Sequence, residues 1–464
     1  MINSCELAII GAGPAGMSAA TLASELGVDV ALFDEQATPG GQIYRSLENS
    51  SAMRQKILGE EYLYGQSIIA NFRQSRAQYF PNTSVWSVNK NQLCILHQEQ
   101  TFVVNAKRIL IAVGAYERPM PFPGWTLPGV MTAGSGQVML KNDGLLPRGK
   151  VVLAGAGPLL LLIAKQYSQA GVKVDAILDC APISDRFLAP FKIPEALSAS
   201  HYLSKGLKMH WQLLKAGVAF SHGIKNLQAQ GDDNLTGLQY KNIFGQTKML
   251  DCDHLFIHFG LIPNTFFTRL LGCHHYWDKN QLCWRPQMDH WGATSINGVS
   301  VCGDGAGIHG ALSAEYSGHL VALNIAFSLE IIDQKVRDER ALPYSVARKK
   351  DQGIRPFLET MFRPPIDLLY EPNDTTIICR CEEVTAGEIR KTIKNGHHGV
   401  NQVKSLSRCG MGLCQGRQCD HAVTHIVAQE LKKSIEDISF YRTRPPVKPI
   451  TIEQLANLTV VQND

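Results

Sequence analysis

One succession of residues near the N-terminus restricts the possible folds more than any other. Glu6 to Ile10 is a short apolar run, and Gly11-Ala-Gly-Pro-Ala-Gly16 follows it at once. Met17 to Leu26 has helical character, and Val28 to Phe33 is a second apolar run closed by Asp34-Glu35. Strand, glycine turn, helix, strand and acid make up the βαβ unit that binds a dinucleotide. Gly11 makes the tight turn, Gly13 lets the backbone approach a pyrophosphate, and Gly16 allows the helix to pack closely on the strand. Pro14 and Ala15 complete the turn, whose unpaired helix amides face the phosphates. Asp34, which directly ends the strand, is the better candidate to accept from a ribose hydroxyl, and Glu35 is the alternative.

The pattern recurs. Lys150 to Leu153 reads as a strand, Gly155-Ala-Gly157-Pro-Leu-Leu160 as the turn, Leu161 to Ala170 as a helix, and Val172 to Leu178 as a strand ending at Asp179. Gly155 and Gly157 are candidate nucleotide contacts. Leu160 stands where the third glycine belongs, so a vestigial or repurposed second site competes evenly with a working one. Arg108 to Val113 is another buried strand, ending at Gly114, and Gly298 to Val301 precedes Cys302-Gly-Asp-Gly-Ala-Gly307 and a helical run from Ala311 to Leu329. A carboxylate between two glycines, Asp304, suits a ribose or polyol chain; a capping role at a helix start is equally compatible. Pro39-Gly-Gly-Gln-Ile-Tyr44 is a further glycine-rich loop.

Length and composition fit about three globular domains. Lys+Arg 45 against Asp+Glu 41 gives a net charge of +4, too small to suggest nucleic acid or a membrane surface as partner. No apolar run reaches the roughly 20 residues of a spanning helix. Met1-Ile-Asn-Ser-Cys-Glu has no basic segment ahead of apolar residues, so the expected location is cytoplasmic.

Five of the twelve cysteines crowd into one window, Cys379-Arg-Cys381 and Cys409-Gly-Met-Gly-Leu-Cys414-Gln-Gly-Arg-Gln-Cys419. A disulfide framework would spread its cysteines through a short secreted chain. Thiolates for a metal centre are the better reading. Residues 335–375 are charged and proline-bearing, which suits a linker, and the proline-containing stretch from Arg442 suits an extended surface tail.

Together these residues resemble the two-dinucleotide-domain flavoproteins of the glutathione-reductase-like fold, in which an FAD domain is split by an inserted second domain. Gly11 to Gly16, Asp34, Val113, Gly114, Gly303 and Asp304 match that group's FAD-contacting positions, with Gly41 and Gln42 added from the loop after the acid. The phrases DEQATPGGQIYR (34–45), PGWTLPGVMTAG (123–134), AGAGPLLLL (154–162), VCGDGAGIHGA (301–311) and the cysteine window carry a closer likeness over nearly the whole chain. It is to the alpha (A- or B-type) subunits of heteromeric amine-oxidising dehydrogenases. Examples are the A-type subunit of opine oxidase, the alpha subunits of dye-linked proline or hydroxyproline dehydrogenases, and the hydrogen cyanide synthase B subunit. The resemblance implies an α/β chain with two Rossmann-like dinucleotide-binding domains and a small, mostly helical C-terminal [2Fe-2S] domain of the bacterioferritin-associated-ferredoxin type. Its implied layout is an FAD domain at 1–118 and 288–345, an inserted nucleotide domain at 119–287, a linker at 346–372, the cluster domain at 373–433 and a tail at 434–464.

The same resemblance implies Cys379, Cys381, Cys414 and Cys419 as cluster ligands, with Cys409 a surplus thiol. Structural zinc competes, although zinc sites usually begin C-x₂₋₄-C rather than C-x-C. Arg380, Arg408 and Arg417 beside an anionic cluster would raise its potential. No C-x₄-C follows the first glycine turn, so the redox disulfide of a disulfide reductase is missing, and no catalytic base or substrate-binding arginine stands out. The implied role is electron transfer: an amino-acid-oxidase-like flavoprotein partner oxidises a C–N bond of an amino acid, imino acid or opine, and electrons pass through this chain to a quinone or cytochrome. An FMN at a subunit interface, NAD(P) or ATP at the second nucleotide site, peripheral membrane attachment through partners and a small ferredoxin-like subunit belong to the same picture. Two other readings stay open: a self-sufficient NAD(P)H-dependent flavin oxidoreductase feeding the cluster, and a scaffold that holds nucleotide without redox work.

Overall fold

The computed structural model describes residues 2–366 and 371–458. Contacts divide the chain into two units, one of residues 1–116, 262–353 and 443–464, the other of 117–261 and 354–442. Residues 367–370 of the expected linker and 459–464 of the expected tail lie outside the described residues.

The first unit is built on a seven-stranded sheet. Ser4–Ile10 pairs in parallel with Val30–Phe33 on one side and with Gln100–Ile111 on the other. Gln100–Ile111 is long enough to serve two neighbourhoods. Its first half pairs antiparallel with Gln92–His97, and its second half runs parallel to Ser4–Ile10 and Val299–Val301. Ile10, Phe33, Ile109, Ile111, Val299 and Val301 share one buried core, as expected of parallel strands covered on both faces. Helix Pro14–Glu25 lies so close to helix Ala311–Ser328 that a Cβ on Gly318 would stand 2.2 Å from the Ala15 carbonyl oxygen.

In the second unit, Val151–Gly155 sits between Val174–Asp179 and His254–His258, all parallel, with Ala219–His222 and Val130–Thr132 at the edges. An antiparallel trio, Lys225–Gln230, Gly237–Lys241 and Thr247–Asp251, contributes Leu227 and Leu238 to the core. The cysteine-bearing stretch belongs to this unit and is mostly helical, with helices at Ala386–Lys394, Val400–Ser407 and Asp420–Leu431. The indole of buried Trp125 donates to the Ile377 carbonyl at 2.7 Å, so the stretch is hydrogen-bonded to the connector that opens the unit.

Three expectations are corrected. The chain returns to the first unit at Ile262 rather than 288, because Phe267 is buried in the core with Ile111 and Val301. The expected linker is largely helix, Gln334–Gln352 and Arg355–Met361, and Asp351 is buried against the Ser313 hydroxyl at 2.5 Å. Its charge and prolines concealed this, although Pro343 is accommodated inside the longer helix. The tail does more than lie on the surface. Val447 is buried and donates to Trp86 at 2.7 Å, and the short helix Ile452–Ala456 closes on Thr101 through the Gln454 carbonyl at 2.7 Å.

Candidate functional site

The first glycine turn leaves the strand Ser4–Ile10 at Gly11, whose φ of +105° favours glycine. A Cβ on Gly16 would stand 1.9 Å from the Gly11 carbonyl oxygen, so this position must lack one for the helix to begin here. Gly13 differs, since the nearest atom to its Cβ position is the Gly41 Cα at 4.0 Å. A Cβ on Gly114, at the end of the neighbouring strand, would meet nothing within 4 Å among the described residues. Open space beside Gly13 and Gly114 is the cradle a dinucleotide phosphate needs. Gly41 closes its edge backbone to backbone: a Cβ there would be 2.8 Å from the Gly13 Cα.

Asp34 accepts from the amides of Ala12 at 2.5 Å and Gln36 at 2.7 Å, so its carboxylate is tied to the turn itself. Burial raises its pKa above the usual carboxylate range, against the lowering effect of those two amides. Glu35 points elsewhere, to Lys448 of the tail at 2.9 Å and the Ser84 hydroxyl at 3.2 Å. Gly303 packs against helix Pro14–Glu25, where its Cβ would be 2.9 Å from the Ala15 methyl. Asp304 Oδ1 accepts from the amides of His309 at 2.9 Å and Gly310 at 3.1 Å, just ahead of helix Ala311–Ser328. The first unit thus carries all of Gly11–Gly16, Asp34, Gly41, Gln42, Val113, Gly114, Gly303 and Asp304, in the stretches that follow its strands.

The second turn is shaped differently. Gly13 is extended, whereas Gly157 has φ +154° and ψ 151°, and Leu160, in the third glycine's place, is buried. The His258 ring lies against Gly157, and its Nδ1 bonds Glu117 Oε1 at 2.7 Å. Glu117 Oε2 accepts from the Gly134 amide at 2.8 Å. Asp179, at the position matching Asp34, is already paired with Arg186 and lies 3.3 Å from His222 Nδ1. Glu117 and His258 belong to no motif in the sequence. The available signal was a histidine closing the strand that abuts the glycine turn.

The cysteine site is organised around buried Cys379. Its sulfur and those of Cys409 and Cys419 lie within 4.8 Å of one another. Thiol hydrogen bonds from Cys409 and Cys419, with the Gly410 amide at 3.4 Å, hold Cys379 as a thiolate with its pKa lowered to about 2. Its bond to Cys379 pushes Cys409 up to about 12. Cys381, exposed, is hydrogen-bonded to Cys414. Gly412 presses on Cys381, since its Cβ would be 2.2 Å from the Cys381 Cβ. The Tyr441 ring wedges between Gly410 and Gly416, each of whose Cβ positions is 2.7 Å from it. Cys409, set aside from sequence, is therefore part of the buried trio, and Cys381 and Cys414 form a separate pair. Arg408 is bonded to Glu382 at 2.8 Å, so part of its charge is offset. Thiols gathered around a thiolate with an amide donor have the chemistry of a thiolate-ligated metal centre.

Fold and first turn together define a flavin oxidoreductase with two dinucleotide-binding folds. The chain belongs to the pyridine nucleotide-disulphide oxidoreductase family, which matches residues 5–319. That membership supports FAD as a cofactor. Residues 373–458 match the sarcosine oxidase A3 domain. The chain is similar to the A-type subunit of opine oxidase from Rhizobium meliloti, 38% identical over 98% of this chain and 87% of that protein. It is also similar to hydrogen cyanide synthase subunit HcnB of Pseudomonas aeruginosa, 29% identical over 97% and 98% of the two chains. In fold it matches L-proline dehydrogenase from P. horikoshii with a TM-score of 0.68 at 18% identity, covering 97% of this chain and 79% of that one. The likeness to opine oxidase subunits places the chain with flavin-dependent amino-acid or opine oxidase-type subunits, and the solved structure shows the shared fold. Among the described residues, no helix is long and apolar enough to cross a membrane.

Proposed function

We propose that this chain is the electron-transfer subunit of a heteromeric dehydrogenase. A partner flavoprotein of the amino-acid-oxidase type oxidises the C–N bond of an amino acid, imino acid or opine, and a quinone or cytochrome is the final acceptor. The observation that carries this reading is the sulfur trio of Cys379, Cys409 and Cys419 beside the Cys381–Cys414 pair, on a chain with a flavin oxidoreductase fold. FAD exchanges two electrons and can release them singly, whereas a [2Fe-2S] cluster carries one at a time. Gly13, Gly41, Gly114 and Asp34 would seat the dinucleotide, and Cys379, Cys381, Cys414 and Cys419 would hold the cluster. The relatives, subunits of opine oxidase, hydrogen cyanide synthase and sarcosine oxidase, support a partner. At the second turn, the His258 ring against Gly157 and the pairing of Asp179 with Arg186 weigh against rapid NADH turnover.

Anaerobic purification of the chain, alone and with a co-expressed partner, tests the reading. Iron and flavin on this chain with amine oxidation only in the pair are expected. Amine oxidation by the chain alone, or zinc in place of iron, overturns it.

A further inference from the structure

We propose that residues 183–215 dock this chain on the surface of an anionic lipid bilayer. The segment joins strand Val174–Asp179 to strand Ala219–His222 in the second nucleotide fold, and its hydrophobic pattern is inverted. Ala189, Ala196 and Ala199 are turned inward, at most 1% exposed, and the last two pack with Ile354. The large apolar side chains beside them face outward, with Phe187 73%, Phe191 79% and Leu197 61% exposed. The chain runs directly into helix Ser200–Lys215, which has two apolar faces. Met209 and Leu213 are buried, while Leu207, Trp211 and Leu214, spaced four and three residues apart, form a second stripe that is more than half exposed. Exposed apolar surface on this scale marks an interaction site.

Charge selects the occupant. Residues 183–215 contain four lysines against Asp185 and Glu195, and Arg186 is paired with Asp179. Lys208 and Lys215 each follow a stripe residue by one position, about 100° round the helix, and Lys215 Nζ lies 3.6 Å above the Trp211 ring. An apolar face with Trp, bordered by lysines whose stems run along it, is the pattern of a helix lying in the headgroup region. Protein interfaces, by contrast, are depleted of lysine. The basic excess favours anionic headgroups. With no spanning helix among the described residues, the attachment is to one leaflet. This inference does not rest on the electron-transfer role.

The full-length chain is sedimented with vesicles of phosphatidylcholine alone and of equimolar phosphatidylcholine and phosphatidylglycerol. Binding to the anionic vesicles about tenfold stronger than to the neutral ones is expected, falling as salt is added. Phe191→Ser with Trp211→Ser should weaken it about tenfold, and Lys208→Glu with Lys215→Glu should remove the lipid preference while leaving the far-UV spectrum and melting curve unchanged. Trp211→Phe should remove the emission that bromolipid quenches, an outcome independent of how well the double variants fold. Equal binding to both vesicles, or unchanged binding by the apolar double variant, overturns the proposal. So does an absence of vesicle binding when the apolar variant dissociates a self-association or a co-purified stoichiometric partner, which would make the face a protein interface.

Discussion

The His258 imidazole occupies the space a side chain at Gly157 would need: a Cβ there would stand 2.4 Å from His258 Cδ2 and 2.6 Å from Nε2. The ring cannot simply swing away, because Glu117 holds its Nδ1 at 2.7 Å. The first turn has no such neighbour, and its Gly13 faces open space instead. The two glycine turns therefore share a motif and differ in what the missing side chains make room for. In the first the room stays open, and in the second much of it is used by the protein's own histidine.

Gly157→Ala should destabilise the chain by about 2 kcal/mol or more, from backbone strain at φ +154° and displacement of a buried, hydrogen-bonded ring. His258→Ala should cost about 2 kcal/mol by removing the hydrogen bond to Glu117 Oε1. The double variant should be about 1 kcal/mol more stable than the sum, since the clash is then removed. Urea unfolding of the four proteins measures the coupling; strict additivity would separate Gly157 from His258.

Gly41→Ala places a methyl against the Gly13 backbone at 2.8 Å, where neither loop has a flexible side chain to yield. Flavin content should fall, with the dissociation constant for FAD raised about tenfold. Gly27→Ala is the matched control: it is also a positive-φ glycine, at +98°, but its Cβ position meets nothing within 4 Å among the described residues. It should lower stability by about 1 kcal/mol and leave the flavin-to-protein ratio unchanged. Equal flavin loss in both would show that the proximity of Gly41 to Gly13 is immaterial.

The βαβ units were legible because each is a local pattern: an apolar run, glycines at fixed offsets and a helical stretch. The seam between the units was not, since Phe267 joins a core that includes Ile109 and Ile111, more than a hundred residues away. Helix Gln334–Gln352 was hidden by composition, its charged face and Pro343 resembling a linker. At the cysteines, spacing and resemblance singled out four, but the position of Cys409 depends on how the loop folds around Tyr441. Its carbonyl accepts from the Tyr441 hydroxyl at 3.2 Å, a contact across 32 residues that no motif encodes.

His319 gives stability a pH dependence of defined sign. Burial lowers its pKa from 6.5 to about 4, its ring stacks on Tyr344 at 4.3 Å, and its Nδ1 has no hydrogen-bond partner among the described residues. The fold keeps it neutral, while the unfolded chain takes up a proton once pH drops below about 6.5. Stability from this group is therefore present above 6.5 and is lost as pH falls towards 4, by at most about 3 kcal/mol. His319→Phe should flatten that part of the curve. Denaturant midpoints between pH 7 and pH 4 provide the check, and an unchanged slope in the variant would remove His319 as a cause.

The most discriminating prediction concerns the surplus thiol. Cys381 and Cys414 form a pair, whereas Cys379, Cys409 and Cys419 are three sulfurs within 4.8 Å, where a four-thiolate centre would need only two. Cys381→Ala or Cys414→Ala should then abolish iron incorporation, because that pair has no spare. Cys409→Ala should retain the visible absorption in full. Cys419→Ala should keep a reduced fraction of the iron, because Cys409 is near enough to replace it, and the Cys409→Ala/Cys419→Ala double variant should keep none. Iron per chain and absorption after anaerobic purification provide the readout. Complete loss in Cys419→Ala alone would mean that Cys409 cannot move into the ligand position, leaving it a packing residue beneath Tyr441. Loss in Cys409→Ala would instead make the buried trio, and not Cys379 with Cys419, the half of the site that binds metal.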